Sequence, residues 1–404
     1  MPRRFASCRL AFAILALGLA GVPAHAADGD LTAAALGREI FLDPGLSASG
    51  QMSCATCHDP AHAHAQSNAL PVQAGGALLD VPGFRSVPSL RYLNRAAFSF
   101  DKEGTPTAGF NRDGRAASLL EQAARPFVAP HEMALADAAA ITAKVEAAPY
   151  ADRFRALFGE DAFDDADGVF LRVRFALAAF EQSAPELHPF DAKYDAFLAG
   201  RVMLAPAELR GLALFNNPRK GNCNGCHASQ RGADGSPPLF TDYTYDNLGV
   251  PRNMEIPANA EPTYFDLGLC GPDRVDLADR RDLCGAFKVP TLRNVATRQV
   301  FFHNGLFKNL RDAIRFYVRR DTHPDEFYPR GEDGALRKFD DLPAELARNV
   351  NASEVPYDRR PGQAPRLDDA EIDDLVAFLV TLTDGYDAAT DTADPARNLP
   401  PSAP

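Results

Sequence analysis

The chain has 404 residues with 42 basic and 54 acidic side chains, so its formal net charge is −12. This length predicts two or three domains. The acidic balance argues against nucleic acid as a partner and favours a cationic docking partner, although acidity alone is a weak signal.

The first 26 residues have the pattern of a secretory signal peptide. Three arginines precede an apolar run at residues 10–20, and Ala24-His25-Ala26 has the small-residue spacing of a cleavage site. The competing interpretation is a membrane anchor, but the run is short for a bilayer span. We therefore expect a periplasmic mature chain that begins at Ala27, carries a net charge of about −15 and has no membrane span.

A faint repeat divides the mature chain into two halves. Residues 37–44 (GREIFLDP) and 211–218 (GLALFNNP) have Gly, Phe and Pro in register. Each segment predicts a helix that ends just before the proline. Each is followed by a Cys-x-x-Cys-His motif, at 54–58 and at 223–227.

Each half also ends in an apolar segment that predicts a helix. These segments span residues 169–181 and 368–382, and in the second the apolar residues recur at helical spacing. Asp368 and Glu371 are placed to form a capping box at its start.

Seven cysteines occur, and one of them, Cys8, lies in the predicted signal peptide. Four belong to the two motifs. Cys270 and Cys284 remain, and an exported chain permits a disulfide between them.

Cys-x-x-Cys-His is the attachment pattern of c-type haem. The two thiols add to the haem vinyl groups and the histidine reaches the iron. A zinc half-site or a redox disulfide is the alternative for a bare Cys-x-x-C. Two copies, each with the adjacent histidine, favour two covalent haems. The predicted haem-binding residues are Cys54, Cys57, His58, Cys223, Cys226 and His227, with the histidines as proximal iron ligands.

These elements predict a mainly α fold with two cytochrome c-like domains, each with one covalently bound haem. The expected boundaries are 27–195 for the N-terminal domain and 196–386 for the C-terminal domain. Residues 387–404 are rich in Asp, Ala and Pro and are predicted to be disordered.

Several motifs resemble the bacterial dihaem cytochrome c peroxidases and their relatives of the MauG type. They are residues 52–60 (MSCATCHDP), 113–123 (DGRAASLLEQA), 130–133 (PHEM), 287–294 (FKVPTLRN) and 303–305 (HNG). They occur in the family's order along nearly the whole mature chain, which makes the resemblance specific.

The resemblance implies that hydrogen peroxide reacts at the N-terminal haem and that electrons pass through the C-terminal haem. It places Gln122, Pro126 and Glu132 in the pocket of the first haem, with Glu132 as the catalytic acid and base. Without the resemblance, Glu132 would be interpreted as a solvated residue at a helix start and Gln122 as a helix-surface residue.

For the second haem the resemblance implies a distal ligand 14 residues after His303, which is Tyr317. Tyrosine at this place is typical of the MauG type, whereas classical peroxidases have methionine. Tyrosinate favours ferric iron, and a methionine thioether favours ferrous iron. Met254 is the alternative ligand, and Tyr317 could instead be an ordinary core aromatic residue.

The chain departs from the family at the tryptophan that usually lies between the haems, since it has no tryptophan. Arg112 stands at that position. Phe110 or Tyr92 could provide an aromatic bridge instead, and Arg112 could pair with a haem propionate. The family binds calcium between its domains, partly through an asparagine side chain. Tyr92 stands near that position here, with Asn94 two residues later, so calcium is possible through backbone carbonyls but is not supported by the sequence.

Classical peroxidases close the resting N-terminal haem with a loop histidine. This chain has no histidine between residues 65 and 130. The resemblance therefore implies an open first haem. His62 and His64 are interpreted as surface residues, and His131 is a weaker candidate for the pocket.

The leading hypothesis is a dihaem peroxidase whose electron donor is a small periplasmic cytochrome c or cupredoxin. The alternative within the family is a MauG-like enzyme that oxidises aromatic side chains of a partner protein. A non-catalytic dihaem electron carrier is the alternative from another functional class.

Overall fold

The structure is a computed structural model and describes residues 31–93 and 96–389. The predicted signal peptide, Asn94 and residues 390–404 of the predicted tail lie outside the described residues. Within them, the α-helices are α1 Ala33–Leu42, α2 Cys54–Cys57, α3 Leu119–Gln122, α4 Arg125–Val128, α5 Ala138–Glu146, α6 Ala151–Phe158, α7 Ala166–Ser183, α8 Lys193–Leu198, α9 Pro206–Asn216, α10 Leu310–Arg319 and α11 Asp369–Val380.

The strands that the structure describes are short and form three antiparallel pairs. They are β1 Ala74–Gly75 with β2 Val81–Pro82, β3 Ser99–Phe100 with β4 Pro106–Thr107, and β5 Tyr245–Asp246 with β6 Phe287–Lys288. The predicted mainly helical class is confirmed. No helix in the described ranges has the length and apolar character needed to cross a membrane.

The predicted first and last helices of each half are confirmed, and they pack in pairs. Helix α1 packs against α7, and α9 packs against α11. Helix α1 ends at Leu42, directly before Asp43-Pro44, and α9 ends at Asn216, directly before Asn217-Pro218. Both helices thus end just before a proline, as predicted. The Asp368–Glu371 capping box at the start of α11 is also present.

A glycine allows close approach in each helix pair. A Cβ on Gly37 would lie 1.9 Å from the carbonyl oxygen of Ala176, and a Cβ on Gly211 would lie 2.0 Å from that of Asp374. Both glycines therefore press against the backbone of the partner helix. This shared contact gives the sequence repeat a physical cause.

The same register recurs one turn further along each helix. The rings of Phe41 and Phe180 lie 5.3 Å apart, and those of Phe215 and Phe378 lie 5.2 Å apart. All four phenylalanines are nearly or completely buried. The Gly-x-x-x-Phe spacing thus places one small and one aromatic residue on the packing face of each pair.

Two large hydrophobic cores surround these helix pairs. One draws on residues 36–187 and the other on residues 194–382. The domain boundary between residues 195 and 196 stays a prediction.

Contacts across the two halves meet at Asp384, just after α11. Its carboxylate accepts hydrogen bonds from the Tyr92 hydroxyl at 2.6 Å, from Arg91 at 2.8 Å and from Asn294 at 2.6 Å. The Asp384 side chain is 2% exposed, so these bonds are shielded from water. They tie a loop of the N-terminal half to the end of the C-terminal half.

The predicted disulfide is present between Cys270 and Cys284, whose Cα atoms lie 5.0 Å apart. Both residues are buried beside Leu346 in a small separate cluster. A disulfide is consistent with an exported protein.

Replacing Gly211 with alanine is expected to destabilise the protein by about 1–3 kcal/mol, because the new methyl group overlaps the carbonyl of Asp374. Helix propensity alone would predict the opposite sign, a gain of up to about 1 kcal/mol. Urea unfolding followed by circular dichroism measures the difference. Leu209→Ala, at a 39% exposed site on the same helix, is the control and should have a smaller effect. A stabilised Gly211→Ala protein would contradict the packing argument.

Candidate functional site

One cavity of about 1020 Å³ is lined by both Cys-x-x-Cys-His motifs. The short strands and long loops between the helix pairs form much of its wall. Residues of both halves line it, so the site cannot be assigned to either half alone. Its size is at the upper end of the range for ligand pockets in proteins.

The first motif forms α2 and the residue that caps it. The backbone N–H of Ser53 donates to the Thr56 hydroxyl at 2.9 Å, which closes the first turn. His58 follows, with Nδ1 3.0 Å from the carbonyl oxygen of Pro88 and 3.3 Å from that of His64. Because a carbonyl can only accept, Nδ1 carries the proton and Nε2 keeps a lone pair for a metal.

The second motif begins with a 3₁₀ turn at Cys223–Gly225 and continues through Cys226 and His227. Asn222 enters the turn in the left-handed conformation, with φ 51°. Nδ1 of His227 lies 2.8 Å from the carbonyl oxygen of Phe240. The second histidine is therefore oriented in the same way as the first.

The protonation of these groups suits haem attachment. The four motif cysteines are free. Burial raises the pKa of Cys54 and of Cys223 to about 12, so both thiols are protonated. Burial lowers the pKa of His58 to about 4, and that of His227 in the same direction. Neutral imidazole is the form that ligates iron.

The residues present therefore fit two haems. Four partly buried thiols without disulfides and two imidazoles held through Nδ1 all line one cavity. A zinc site would need ligands gathered around one point. No group of three or more His, Cys, Asp or Glu that could hold a metal ion is found in the described parts of the chain.

Gln122, Pro126 and Glu132 all line the cavity together with the first motif. Gln122 is the last residue of α3, and Pro126 lies in the first turn of α4. Glu132 follows α4, and its backbone N–H donates to the carbonyl of Ala129 at 3.0 Å. The structure brings these three predicted residues to the same cavity, and their roles stay predictions.

Opposing effects act on the Glu132 carboxyl. Burial raises its pKa, and the guanidinium groups of Arg125 and Arg115 lower it by a smaller amount. Both arginines pair with Asp273, at 2.7 and 3.4 Å, so their charge is partly neutralised. The net result is a pKa above the ordinary value for glutamate.

The histidines near the first motif occupy different environments. His131 lines the cavity, with Nε2 3.6 Å from the Glu132 carboxylate and its ring edge on Phe84. His62 pairs with Asp59 at a partly exposed position. The prediction that His64 lies on the surface is wrong, because it is 2% exposed. Its backbone is left-handed, with φ 52°, and its ring lies 5.9 Å from that of Phe41.

Tyr317 lies on α10 and lines the cavity. Burial, the Asp246 carboxylate and the thiols of Cys226 and Cys223 raise the pKa of its phenol. Met254, the alternative ligand, is 65% exposed and is not among the lining residues. The structure therefore brings Tyr317, rather than Met254, into the cavity.

The sequence interpretation missed Tyr357, which also lines the cavity. Its ring stacks on that of Tyr317, with centroids 5.9 Å apart and planes inclined by 30°. The guanidinium of Arg320 lies 4.8 Å from the centre of the Tyr357 ring. No local pattern marked Tyr357, because it follows an irregular loop that only the fold brings to Tyr317.

Glu181 was also missed. It lies on α7 at 5% exposure and lines the cavity, and its Oε2 has no hydrogen-bond partner among the described residues. Burial raises its pKa to about 8, so the carboxyl is mostly protonated at neutral pH. An acidic residue within the apolar segment FALAAFE was the available signal.

Of the three residues predicted to lie between the haems, two line the cavity and one does not. Arg112 and Phe110 line the cavity. Tyr92 does not, because its hydroxyl is bound to Asp384. The guanidinium of Arg293 lies 5.0 Å from the centre of the Tyr92 ring. Asn94 lies outside the described residues, so calcium binding there stays an untested possibility.

Comparisons with known proteins agree with the site. The sequence model of the family described as di-haem cytochrome c peroxidase matches residues 32–203. The chain is 37% identical to the methylamine utilization protein MauG of Paracoccus denitrificans, over 94% of this chain and 95% of that protein. It is 29% identical to the cytochrome c551 peroxidase of Nitrosomonas europaea, over 72% and 76% of the two chains.

Solved structures give the same result. The fold matches the diheme peroxidase BthA of Burkholderia thailandensis with a TM-score of 0.80 and 41% identity, over 88% of this chain and 87% of that one. A MauG-like protein associated with microbial copper homeostasis matches with a TM-score of 0.60 and 25% identity, over 87% and 89%. The chain therefore belongs to the family of di-haem cytochrome c peroxidases and MauG proteins and is an oxidoreductase of that family.

Proposed function

We propose that the protein is a periplasmic dihaem peroxidase that reduces hydrogen peroxide at the haem of the first motif, with electrons delivered through the haem of the second. One observation carries the proposal. The carboxyl of Glu132 and the amide of Gln122 line the same cavity as Cys54, Cys57 and His58. An electron carrier has no use for a proton-transfer group beside its haem.

A haem held by Cys54, Cys57 and His58 would supply the redox chemistry for cleavage of the peroxide O–O bond. The protein must move a proton from one peroxide oxygen to the other. Glu132 accepts the first proton at its carboxylate and returns it to the departing oxygen as water forms. The Gln122 amide orients the peroxide by hydrogen bonding, and Pro126 restricts the space for water.

The proposed attachment residues are the cysteines of both motifs, with His58 and His227 as proximal ligands. Tyr317 is the proposed distal ligand at the second haem. Its buried phenol has a raised pKa, so a cation is needed to hold it as phenolate. Ferric haem iron would supply such a charge when bound, and an anionic oxygen ligand from Tyr317 would in turn favour the ferric state.

A MauG-like oxidation of aromatic side chains on a partner protein is the second candidate. The tyrosine in the cavity and the lack of a histidine in residues 66–129 favour it, as does the identity with MauG. The lack of tryptophan argues against it, because Arg112 cannot carry an electron hole between the haems.

The cleavable signal peptide, the periplasmic location and the electron donor belong to the proposal. The disulfide between Cys270 and Cys284 supports export. The acidic composition suits a small donor with a basic docking face, either a cytochrome c or a cupredoxin.

The donor experiment separates the two candidates. Peroxide is mixed with the protein and with a reduced small cytochrome c or a reduced cupredoxin. Rapid catalytic oxidation of either donor is expected. If neither donor is oxidised while peroxide is still consumed, the peroxidase proposal fails and the MauG-like candidate is favoured. Two six-coordinate low-spin haems that do not react with peroxide would instead indicate an electron carrier.

Glu132→Gln is expected to slow the reaction with peroxide by about 10²–10⁴-fold, because the amide cannot shuttle the proton. Stopped-flow absorbance of the haem bands measures the rate. Glu121→Gln, at an exposed neighbouring carboxyl, is the matched control and should react normally. A normal rate in Glu132→Gln would remove Glu132 from the mechanism.

The peroxide reaction is also expected to depend on pH. Glu132 must be ionised to accept the first proton, so the rate should rise as pH increases through its raised pKa and then level off. The midpoint should lie above the usual glutamate range. His131 lies close enough to Glu132 that its own titration could produce a step in the pH profile of the rate. The variant His131→Asn is therefore measured in parallel. A step that survives in Glu132→Gln but disappears in His131→Asn would assign the base to His131.

Tyr317→Phe is expected to abolish the low-spin spectrum of the oxidised second haem, since it removes the ligand oxygen and keeps the ring. Tyr357→Phe makes the same change on the stacked neighbour and should leave that spectrum unchanged. Electron paramagnetic resonance distinguishes the coordination states. The reverse pattern would transfer the ligand role to Tyr357, and no change in either variant would exclude both.

A further inference from the structure

Six arginines line the cavity, and they fall into two groups. Four have carboxylate partners: Arg85 with Asp113 and Asp266, Arg115 with Asp113 and Asp273, Arg125 with Asp273, and Arg293 with Asp195. Arg112 and Arg298 have no carboxylate within ion-pair distance among the residues that the structure describes. The cavity therefore contains two guanidinium groups whose charge is not neutralised by a nearby acid.

Three backbone carbonyls and one serine hydroxyl accept hydrogen bonds from these two guanidinium groups. Arg112 donates from Nε to the carbonyl of Ser86 at 3.0 Å and from one terminal nitrogen to the Ser86 hydroxyl at 2.7 Å. Arg298 donates from Nε to the carbonyl of Val300 at 3.2 Å and from one terminal nitrogen to that of Val87 at 3.0 Å. In each case the other terminal nitrogen has no protein acceptor among the described residues.

Such an arrangement is unfavourable unless an anion is bound. Removing an ion from water costs several kcal/mol even after the protein relaxes, and neutral acceptors recover only part of that. The effect is visible in both side chains. Burial, together with the positive charges of Arg298 and Arg85, lowers the pKa of Arg112 to about 9. Burial alone lowers the pKa of Arg298 to about 10.

We propose that Arg112 and Arg298 bind the propionate carboxylates of the haems and so supply the missing counter-charge. Each haem carries two carboxylates, and guanidinium groups with free N–H donors match carboxylate geometry. The assignment depends on the haem attachment proposed above but not on reaction with peroxide. It gives Arg112 an electrostatic role at the position where the family usually has tryptophan.

The two arginines are expected to affect the haems unequally. Arg298 donates to the carbonyl of Val87, and His58 to that of the next residue, Pro88. Removing the charge of Arg298 should therefore act mainly on the first haem.

The test measures the reduction potential of each haem in the intact holoprotein by spectroelectrochemistry, without peroxide. Arg112→Met and Arg298→Met remove one positive charge each and keep an unbranched side chain that covers the stem of the arginine. Since a nearby cation favours the reduced haem, both variants are expected to have lower potentials, with Arg298→Met acting mainly on the first haem. Arg112→Lys and Arg298→Lys keep the charge and should restore most of the shift.

Arg210→Met provides the matched control, because it removes the same charge from an exposed side chain paired with Asp374. It should leave both potentials unchanged, since solvent screens exposed charges. A pyridine haemochrome assay and circular dichroism verify that each variant holds two haems and is folded.

Three results would overturn the proposal. Potentials that do not change in the methionine variants would show that the cations do not act on the haems. Equal shifts in the lysine and methionine variants would show that the arginines act only by holding the loop backbone. Wild-type potentials that fall on addition of phosphate would indicate that a diffusible anion occupies the guanidinium groups.

Discussion

The organisation of the cavity depends on the three successive carbonyls of Ser86, Val87 and Pro88. They accept hydrogen bonds from Arg112, Arg298 and His58 respectively. The same segment is fixed to the other half of the chain, because Ser86 donates from its backbone N–H to the carbonyl of His303 and from its hydroxyl to that of Phe302. One segment thus sets the orientation of the first proximal histidine, the positions of two partly buried cations and the contact between the halves.

The charges in the cavity are informative because most of them are balanced. A buried chain of ion pairs runs from Asp266 through Arg85 and Asp113 to Arg115, and it leaves few groups unsatisfied. Among the described residues that line the cavity, burial raises the pKa of Glu181 to about 8 and so favours its neutral form, and Arg112 and Arg298 have no carboxylate partner. Burying a cation in a protein interior costs free energy unless an anion lies beside it. The two arginines without carboxylate partners agree with the family assignment, because the haems that the family implies carry propionate carboxylates.

The two halves contain the same kind of helix pair, α1 with α7 and α9 with α11, but the segments that line the cavity differ between them. Gly37 and Gly211 make the same contact with the opposite helix, and the phenylalanines one turn later stack in the same way. The functional differences come from segments outside this framework. A loop after α4 brings Glu132 to the cavity, whereas α10 and a later loop bring Tyr317 and Tyr357. Duplicated packing therefore supports two unlike sites, because helix packing fixes the scaffold and leaves the loops free to vary.

The sequence by itself determined the features that depend on short-range spacing. These include the two haem-attachment motifs, the helices that end before Pro44 and Pro218, the capping box at Asp368 and the disulfide between the two remaining cysteines. Resemblance added Glu132, Gln122 and Tyr317 as candidates, and the fold brings all three to the cavity. Only the tertiary structure decided that His64 is buried, that Tyr357 stacks on Tyr317, and which arginines lack a carboxylate partner. The reason is physical. A motif or cap is fixed by bonds within a few residues, whereas burial and charge balance depend on partners that are distant in the chain and meet only when it folds.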